Sequence, residues 1–392
     1  MNPPRPPHTR PASSAPARWR PEWRRRQRGL GTLAVCAVLL GVLALGAAWA
    51  ARQLTTAQRV SANDHRAAVA FEVAEAGLAW AVAMLNAGLI DDHCRSASSV
   101  GAAAPRDATD FRHRFLQLGA DGHFRAPSAT SEPPACANIA PLRWSCRCGP
   151  GADAGAPSAG IEGTPPSPPD TQEGPRDQPR FTLRFVDAGA PGQLTLIARG
   201  CSDRRRDCDD LSEGPVGQAE TAQHLALLSA LRRPPPTALV EGPDSFSQHF
   251  GMPPARYRSQ PAVTRLRCRD DCEAVLAQAL ARGRRLLWIE GDARLARWPE
   301  GVLDGTPLVL IVEGRLELSA PGHAQGLLFA RDGITWHPPA NLGSSWRGAL
   351  ISEGRIDLAK QVTPTHDAAV LYRIHRQMGS YLPVPGGWTS TR

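Results

Sequence analysis

Between Leu30 and Ala51 the chain runs for 22 residues, LGTLAVCAVLLGVLALGAAWAA, without a single charge, and no other feature constrains the fold as strongly. A bilayer core about 30 Å thick is crossed by about 20 helical residues, so the run is long enough to span one. Arg24, Arg25, Arg26 and Arg28 stand directly before it, and clustered arginines hold a flank on the cytoplasmic side. Residues 1–29 are therefore expected to form a basic, proline-rich cytoplasmic leader, with the bulk of the 392-residue chain on the far side of the membrane. A competing reading comes from Ala48-Trp49-Ala50 ahead of Ala51, which satisfies the small-x-small rule of signal peptidase. The run exceeds the 7–15 residues usual for a signal core, which favours an anchor.

The formal net charge of +8 has the same origin, because eight arginines and one glutamate in residues 1–29 supply +7 of it. A basic flank beside a span is explained by topology and anionic lipid. The remainder lacks the basic stripe that phosphate contacts demand, so no nucleic-acid partner is expected.

From Arg52 to Gly88 the sequence is alanine-rich and free of proline, which favours continuation of the helix beyond the membrane. Taken from Gly31 to Asn86 it comprises 56 residues, about 84 Å at 1.5 Å per residue. Phe71, Leu78, Val82 and Leu85 recur at helical spacing and predict a stripe that packs against a globular head. Residues 30–90 are thus read as one transmembrane and extended helix.

Beyond it lie Cys94, Cys136, Cys146, Cys148, Cys201, Cys208, Cys268 and Cys272, an even set that reads as disulfides in an exported region. Eight cysteines allow 105 pairings; Cys201 with Cys208 and Cys268 with Cys272 are the local bridges expected. None of the spacings forms paired C-x2-C ribbons, so no metal is expected. Gly149 to Arg180, with Pro165-Pro166-Ser167-Pro168-Pro169, cannot sustain a backbone ladder and reads as a loop or linker. It divides a cysteine-bearing head into residues 91–148 and 181–284.

From residue 285 to 392 a short pattern recurs. Glu290-Gly291, Glu313-Gly314, Asp332-Gly333 and Glu353-Gly354 stand 23, 19 and 21 residues apart, each between apolar segments. A period near 20 predicts a β-solenoid in which each acidic-Gly pair turns the chain. Pro307 to Val312 and Gly326 to Ala330 read as buried strands. The fold class expected is α+β: a long N-terminal helix, then a disulfide-bearing, mainly β exported region ending in a solenoid-like segment.

Candidate catalytic carboxylates exist in Asp292, Asp304, Glu313, Glu317, Asp332 and Glu353. A recurring turn accounts for the acidic-Gly pairs without chemistry. No phosphate-binding loop occurs, and the histidines lack ligand or nucleophile spacing. Neither an enzyme nor a cofactor is expected.

Two stretches resemble the PilX family of type IV pilus assembly proteins. One is Arg28-Gly29-Leu30 with the span and the motif Phe71-Glu72-Val73-Ala74-Glu75-Ala76-Gly77-Leu78; the other is Asp367 to Leu371 followed by Val384-Pro385-Gly386-Gly387-Trp388. The resemblance implies a minor pilin that prepilin peptidase cleaves between Gly29 and Leu30, or alternatively between Gly31 and Thr32. A cut after Gly29 puts Ala34 at mature position five, where major pilins carry glutamate. It further implies a single pass through the inner membrane with the C-terminal portion periplasmic, then incorporation near a filament tip. The partners implied are other pilins and minor pilins, inner-membrane pilus assembly proteins and the peptidase. Gly41, Ala44, Gly46, Ala47 and Ala48 are the small residues expected to permit close helix packing. A type II secretion pseudopilin and an unprocessed, membrane-anchored envelope adhesin are the alternatives.

Overall fold

No proline occurs between Pro21 and Pro105, so nothing interrupts the backbone ladder of helix α1, which runs from Arg28 to Leu85 over 58 residues. The computed structural model describes residues 28–95, 109–127, 133–140, 143–148, 178–203, 216–268 and 272–391. Contacts divide the chain into two units, Met1–Ala62 and Asn63–Arg392.

In the first unit every described side chain from Gly31 to Ala62 is exposed. In the second unit the remainder of α1 ends at Leu85, and the side-chain amide of the following Asn86 donates to Val82 O at 2.8 Å and so serves one of the last helical carbonyls. A short ladder follows, β1 (Leu89–Ile90) with β2 (Thr109–Asp110), then helix α2 (Phe111–Phe115) and the ladder β3 (Gln117–Leu118) with β4 (Phe124–Arg125).

The head sheet is antiparallel. Strands β5 (Ala135–Ala140), β6 (Arg143–Arg147), β7 (Arg180–Asp187), β8 (Gln193–Cys201) and β9 (Gln218–Ser229) are joined by the distant β21 (Gly379–Thr391) in the order β21-β9-β8-β7-β5-β6. Alternation places Phe181, Leu183 and Phe185 of β7, and Leu194, Leu196 and Ala198 of β8, on one buried face. These side chains form a core with Leu78, Ala81 and Leu85 of α1 and with Phe111, Phe124 and Tyr381.

Past β9 come β10 (Leu239–Glu241), helices α3 (Ser245–Phe250) and α4 (Pro254–Tyr257), strand β11 (Thr264–Arg267) and helix α5 (Cys272–Ala281). The coils are then built from a long and a short strand each: β12 (Leu286–Glu290) with β13 (Ala293–Leu295), β14 (Leu308–Val312) with β15 (Arg315–Leu318), β16 (Gly322–Ala330) with β17 (Gly333–Trp336), β18 (Ser344–Ser352) with β19 (Ile356–Leu358), and finally β20 (Val362–Thr365). Long strands stack in parallel as β10-β18-β16-β14-β12-β11, with β20 also on β18, and short strands as β13-β15-β17-β19. The expected β-solenoid-like stretch is present.

Each acidic-Gly pair occupies the corner between a long and a short strand. Gly291 has φ +82°, which favours glycine, and a Cβ on Gly354 would lie 2.6 Å from the backbone of Asp332 in the coil before it, so those two corners stack without side chains there. Parallel register aligns Leu287, Leu310, Leu328 and Leu350 as a ladder inside the coils. The opposite face of the same strands, with Trp288, Ile311, Phe329 and Ile351, is covered by Phe246, Phe250, Tyr257 and by helix α6 (Ala368–Gln377) through Leu371 and Ile374. Burial on both faces explains why these strands read as continuous apolar runs.

The sequence division at residues 284 and 285 is crossed in both directions. Strands β10 and β11 join the solenoid sheet from outside the expected segment, and after β20 the chain leaves the coils through α6 to give β21 to the head sheet. Local periodicity misses both, because the Glu241-Gly242 pair that closes β10 lies far outside the period of about 20 residues, β11 ends without such a pair, and the β21 register is set by partners such as Leu227, opposite Tyr381. Helix α1 likewise stops at Leu85 rather than near residue 90, where β1 pairs with β2.

Candidate functional site

The most distinctive chemistry lies on α1. From Leu33 to Trp49 nine large apolar side chains are exposed, Leu45 at 73% and Leu33 at 69%. Burying each stabilises by about 1.5–3 kcal/mol, so the set favours an apolar environment by on the order of 15–25 kcal/mol, more than the stability of an ordinary domain. The helix is long and apolar enough for a membrane anchor or a signal sequence. Gly41, Ala44 and Ala48 share one face by their spacing of three and seven, whereas Gly46 and Ala47 point elsewhere. A Cβ on Gly41 or Gly46 would meet nothing within 4 Å. Gly29 and Leu30 fall in the first turn of α1, followed by Gly31 and Thr32.

The motif region of α1 docks on the head sheet. Ala70, Val73, Ala74, Leu78, Ala81 and Leu85 are buried, and Gly77 is buried between them. Leu78 and Leu85 of the expected stripe are buried, Phe71 and Val82 lie half-buried at its margin, and small residues share its centre. The physical reason is the close approach of two backbones. A Cβ on Gly200 of β8 would lie 2.0 Å from Ala70 O, one on Gly217 2.3 Å from Arg66 O, and one on Gly77 3.0 Å from the Phe181 ring. Glu72 and Ala76 are exposed. Glu75 accepts a hydrogen bond from Trp388 Nε1 at 2.9 Å, and the same indole meets the Phe71 ring edge-on at 6.4 Å. The two stretches that carry the sequence resemblance thus touch each other.

Sequence reasoning missed the brace at the end of α1. Arg112 is buried and donates to Leu85 O at 2.6 Å, Gln377 O at 2.8 Å and Gly379 O at 2.7 Å, while its guanidinium lies 4.9 Å from the Tyr381 ring centroid. Burial lowers its pKa and Asp110 opposes that shift. Burial raises Tyr381 to about 12. Asn86 adds a reciprocal pair, donating to Tyr381 O and accepting from Tyr381 N–H, both at 2.9 Å. An Asn just past a helical run was a visible stop signal; nothing local marked Arg112.

Disulfides join Cys94 to Cys148, Cys136 to Cys146, and Cys268 to Cys272. The second links facing residues of the β5–β6 hairpin. Cys201 is also disulfide-bonded; Cys208, its expected partner, lies outside the described residues, as does most of the expected linker at 149–180.

The solenoid carboxylates serve its corners and flanks. Asp292 accepts from Arg315 N–H at 2.8 Å and Glu353 from Phe246 N–H at 3.3 Å. Glu313 pairs with Arg258, Glu317 with Arg294 and Asp304 with Arg285, at 3.1, 2.7 and 2.7 Å, and Asp332 is exposed. Trp298, Trp336 and Trp346 are buried and packed on one another. Among the described residues no three His, Cys, Asp or Glu side chains group as metal ligands. Comparison with protein-family models, curated proteins and solved structures returned no match.

Proposed function

We propose that the protein is a minor pilin-like structural subunit that takes part in type IV pilus assembly, at the filament tip or as an initiator. The observation that carries this reading is the division of labour along α1. One part, Gly31 to Ala51, exposes an uncharged, largely apolar surface; the other, Ala70 to Leu85, is built into a folded head. In the membrane the apolar part is solvated by lipid. In a filament the same surface is covered by neighbouring helices, and Gly41, Ala44 and Ala48 allow their backbones to approach. The subunit acts by packing and performs no reaction; the engagement of its solenoid carboxylates in corners and ion pairs supports that part of the reading.

The test is the N-terminal sequence of the mature protein from cells with and without prepilin peptidase. The expected result is a peptidase-dependent start at Leu30 or Thr32. A start at Ala51, or an intact leader in both strains, refutes the assignment and leaves a secreted or anchored envelope protein.

A further inference from the structure

Guanidinium groups that form no ion pair with a carboxylate among the described residues gather where the end of α1 meets α2, α6 and the first coil. A cavity of about 380 Å³ opens there, lined by Arg112, Arg284 and Arg373 among others. Arg112 gives its hydrogen bonds to three backbone carbonyls. Arg284, half-buried, donates to Asn86 O at 2.7 Å. Carbonyls satisfy donors but leave the positive charge in place. The described lining contains one carboxylate, Asp110, which is committed to the N-terminus of α2 through Arg112 N–H at 2.7 Å and faces His113 at 3.8 Å. The fourth lining arginine, Arg285, is paired with Asp304.

A second hollow of about 600 Å³ shares Arg284 and adds Arg265 and Arg282, with no carboxylate among its described lining residues. The Nε of Arg282 is buried without a hydrogen-bond partner. Partly desolvated cations lacking counter-ions are costly, and an anion that enters removes the cost. Burial and then Arg282 lower the Arg284 pKa, and Asp110 opposes that shift.

The first cavity also has an apolar part to its wall, formed by Leu89, Phe124, Leu286 and Pro307. Its size falls in the range of small-molecule sites, and a guanidinium fork matches a planar carboxylate. We propose that this cavity binds a small organic carboxylate, its acid group on Arg284 and Arg373 and its apolar body against Leu89, Phe124 and Leu286. The proposal is independent of the anchor and assembly reading.

The test is isothermal titration calorimetry of the full chain in detergent micelles, with empty micelles as blank, using 3-phenylpropionate, 3-phenyl-1-propanol and inorganic phosphate. Saturable binding of the carboxylate is expected, with the alcohol and phosphate each at least about tenfold weaker. Arg284→Gln should weaken the carboxylate by about tenfold. Arg373→Gln, at an exposed residue, should weaken it several-fold with thermal unfolding unchanged. Equal binding of the alcohol, equal binding of phosphate, indifference to both substitutions, or no saturation below about 10 mM, weaker than typical specific binding, would each overturn it.

Discussion

Gly200→Ala tests the docking of α1 with a single methyl. The new Cβ would lie 2.0 Å from Ala70 O and 2.7 Å from Ala74 N. Ordinary carbon–oxygen contacts are about 3.3 Å or more, so the helix must move off β8 by more than about 1 Å. Both obstructing atoms are backbone, and no rotamer change relieves them. Lifting the helix also loosens Ala74, Gly77 and Leu78 against Phe181 and Ala198. Overpacking costs about 1–3 kcal/mol, and the absence of a flexible neighbour places this case near about 3 kcal/mol. The control is Gly343→Ala, where a Cβ meets nothing within 4 Å and φ is not positive; its effect should stay within about 0.5 kcal/mol. Urea unfolding of the oxidised protein in mild detergent, followed by tryptophan fluorescence, measures both. A loss below about 1 kcal/mol for Gly200→Ala, with the denaturant slope unchanged, would refute the close approach of helix and strand.

Other perturbations address other contacts. Arg112→Met strips donors from three carbonyls; at about 1–3 kcal/mol for each buried orphan, a loss of at least about 3 kcal/mol is expected in the same unfolding assay. Replacing both Cys94 and Cys148 by Ser opens a link of sequence separation 54, expected to cost about 2–4 kcal/mol relative to the oxidised parent. Stability should also fall in two stages as pH drops. The His123 pKa is lowered chiefly by burial, so the unfolded chain takes up that proton first and stability declines as pH falls below about 6.5. The Asp367 pKa is lowered chiefly by the Val370 N–H and then by Arg347, so its contribution is present above about pH 4 and is lost as pH falls through its folded value. Thermal melts across pH 3–8 check the sign: His123→Gln should flatten the upper stage and Asp367→Asn the lower.

What could be read from the chain follows the range of the interactions involved. Helix α1 was visible because alanine content and the absence of proline act within a few residues. The coils were visible because Gly291, Gly314, Gly333 and Gly354 repeat one local geometry, and because strands buried on both faces are uniformly apolar. Contacts distant in sequence left no such mark. Arg112 gives no sign that it will donate to Gly379 O, 267 residues away, and Cys94 gives none that its partner is Cys148. The docking stripe on α1 was read only in part for a related reason: periodicity weights bulky residues and finds Leu78 and Leu85, whereas this helix also seats Ala70 and Ala74 against Gly200 and Gly77 against Phe181.

The return of the chain to the head sheet has a consequence for modularity. Ser229, last in β9, stands opposite Gly379, first in β21, and Ala230 N–H donates to Met378 O at 2.9 Å. The entry to and exit from the whole coil region are therefore hydrogen-bonded neighbours, and topologically the solenoid is cargo spliced into what would otherwise be a tight hairpin. A turn of a few residues bridging Ser229 and Gly379 satisfies the same register, because the strands already face each other there. Grafting at such a junction perturbs the host sheet little. Exchange of the coils is constrained at one place, because Arg112 of the head donates to Gln377 O and Arg284 of the coil region donates to Asn86 O, so a replacement must supply the partners that close the end of α1.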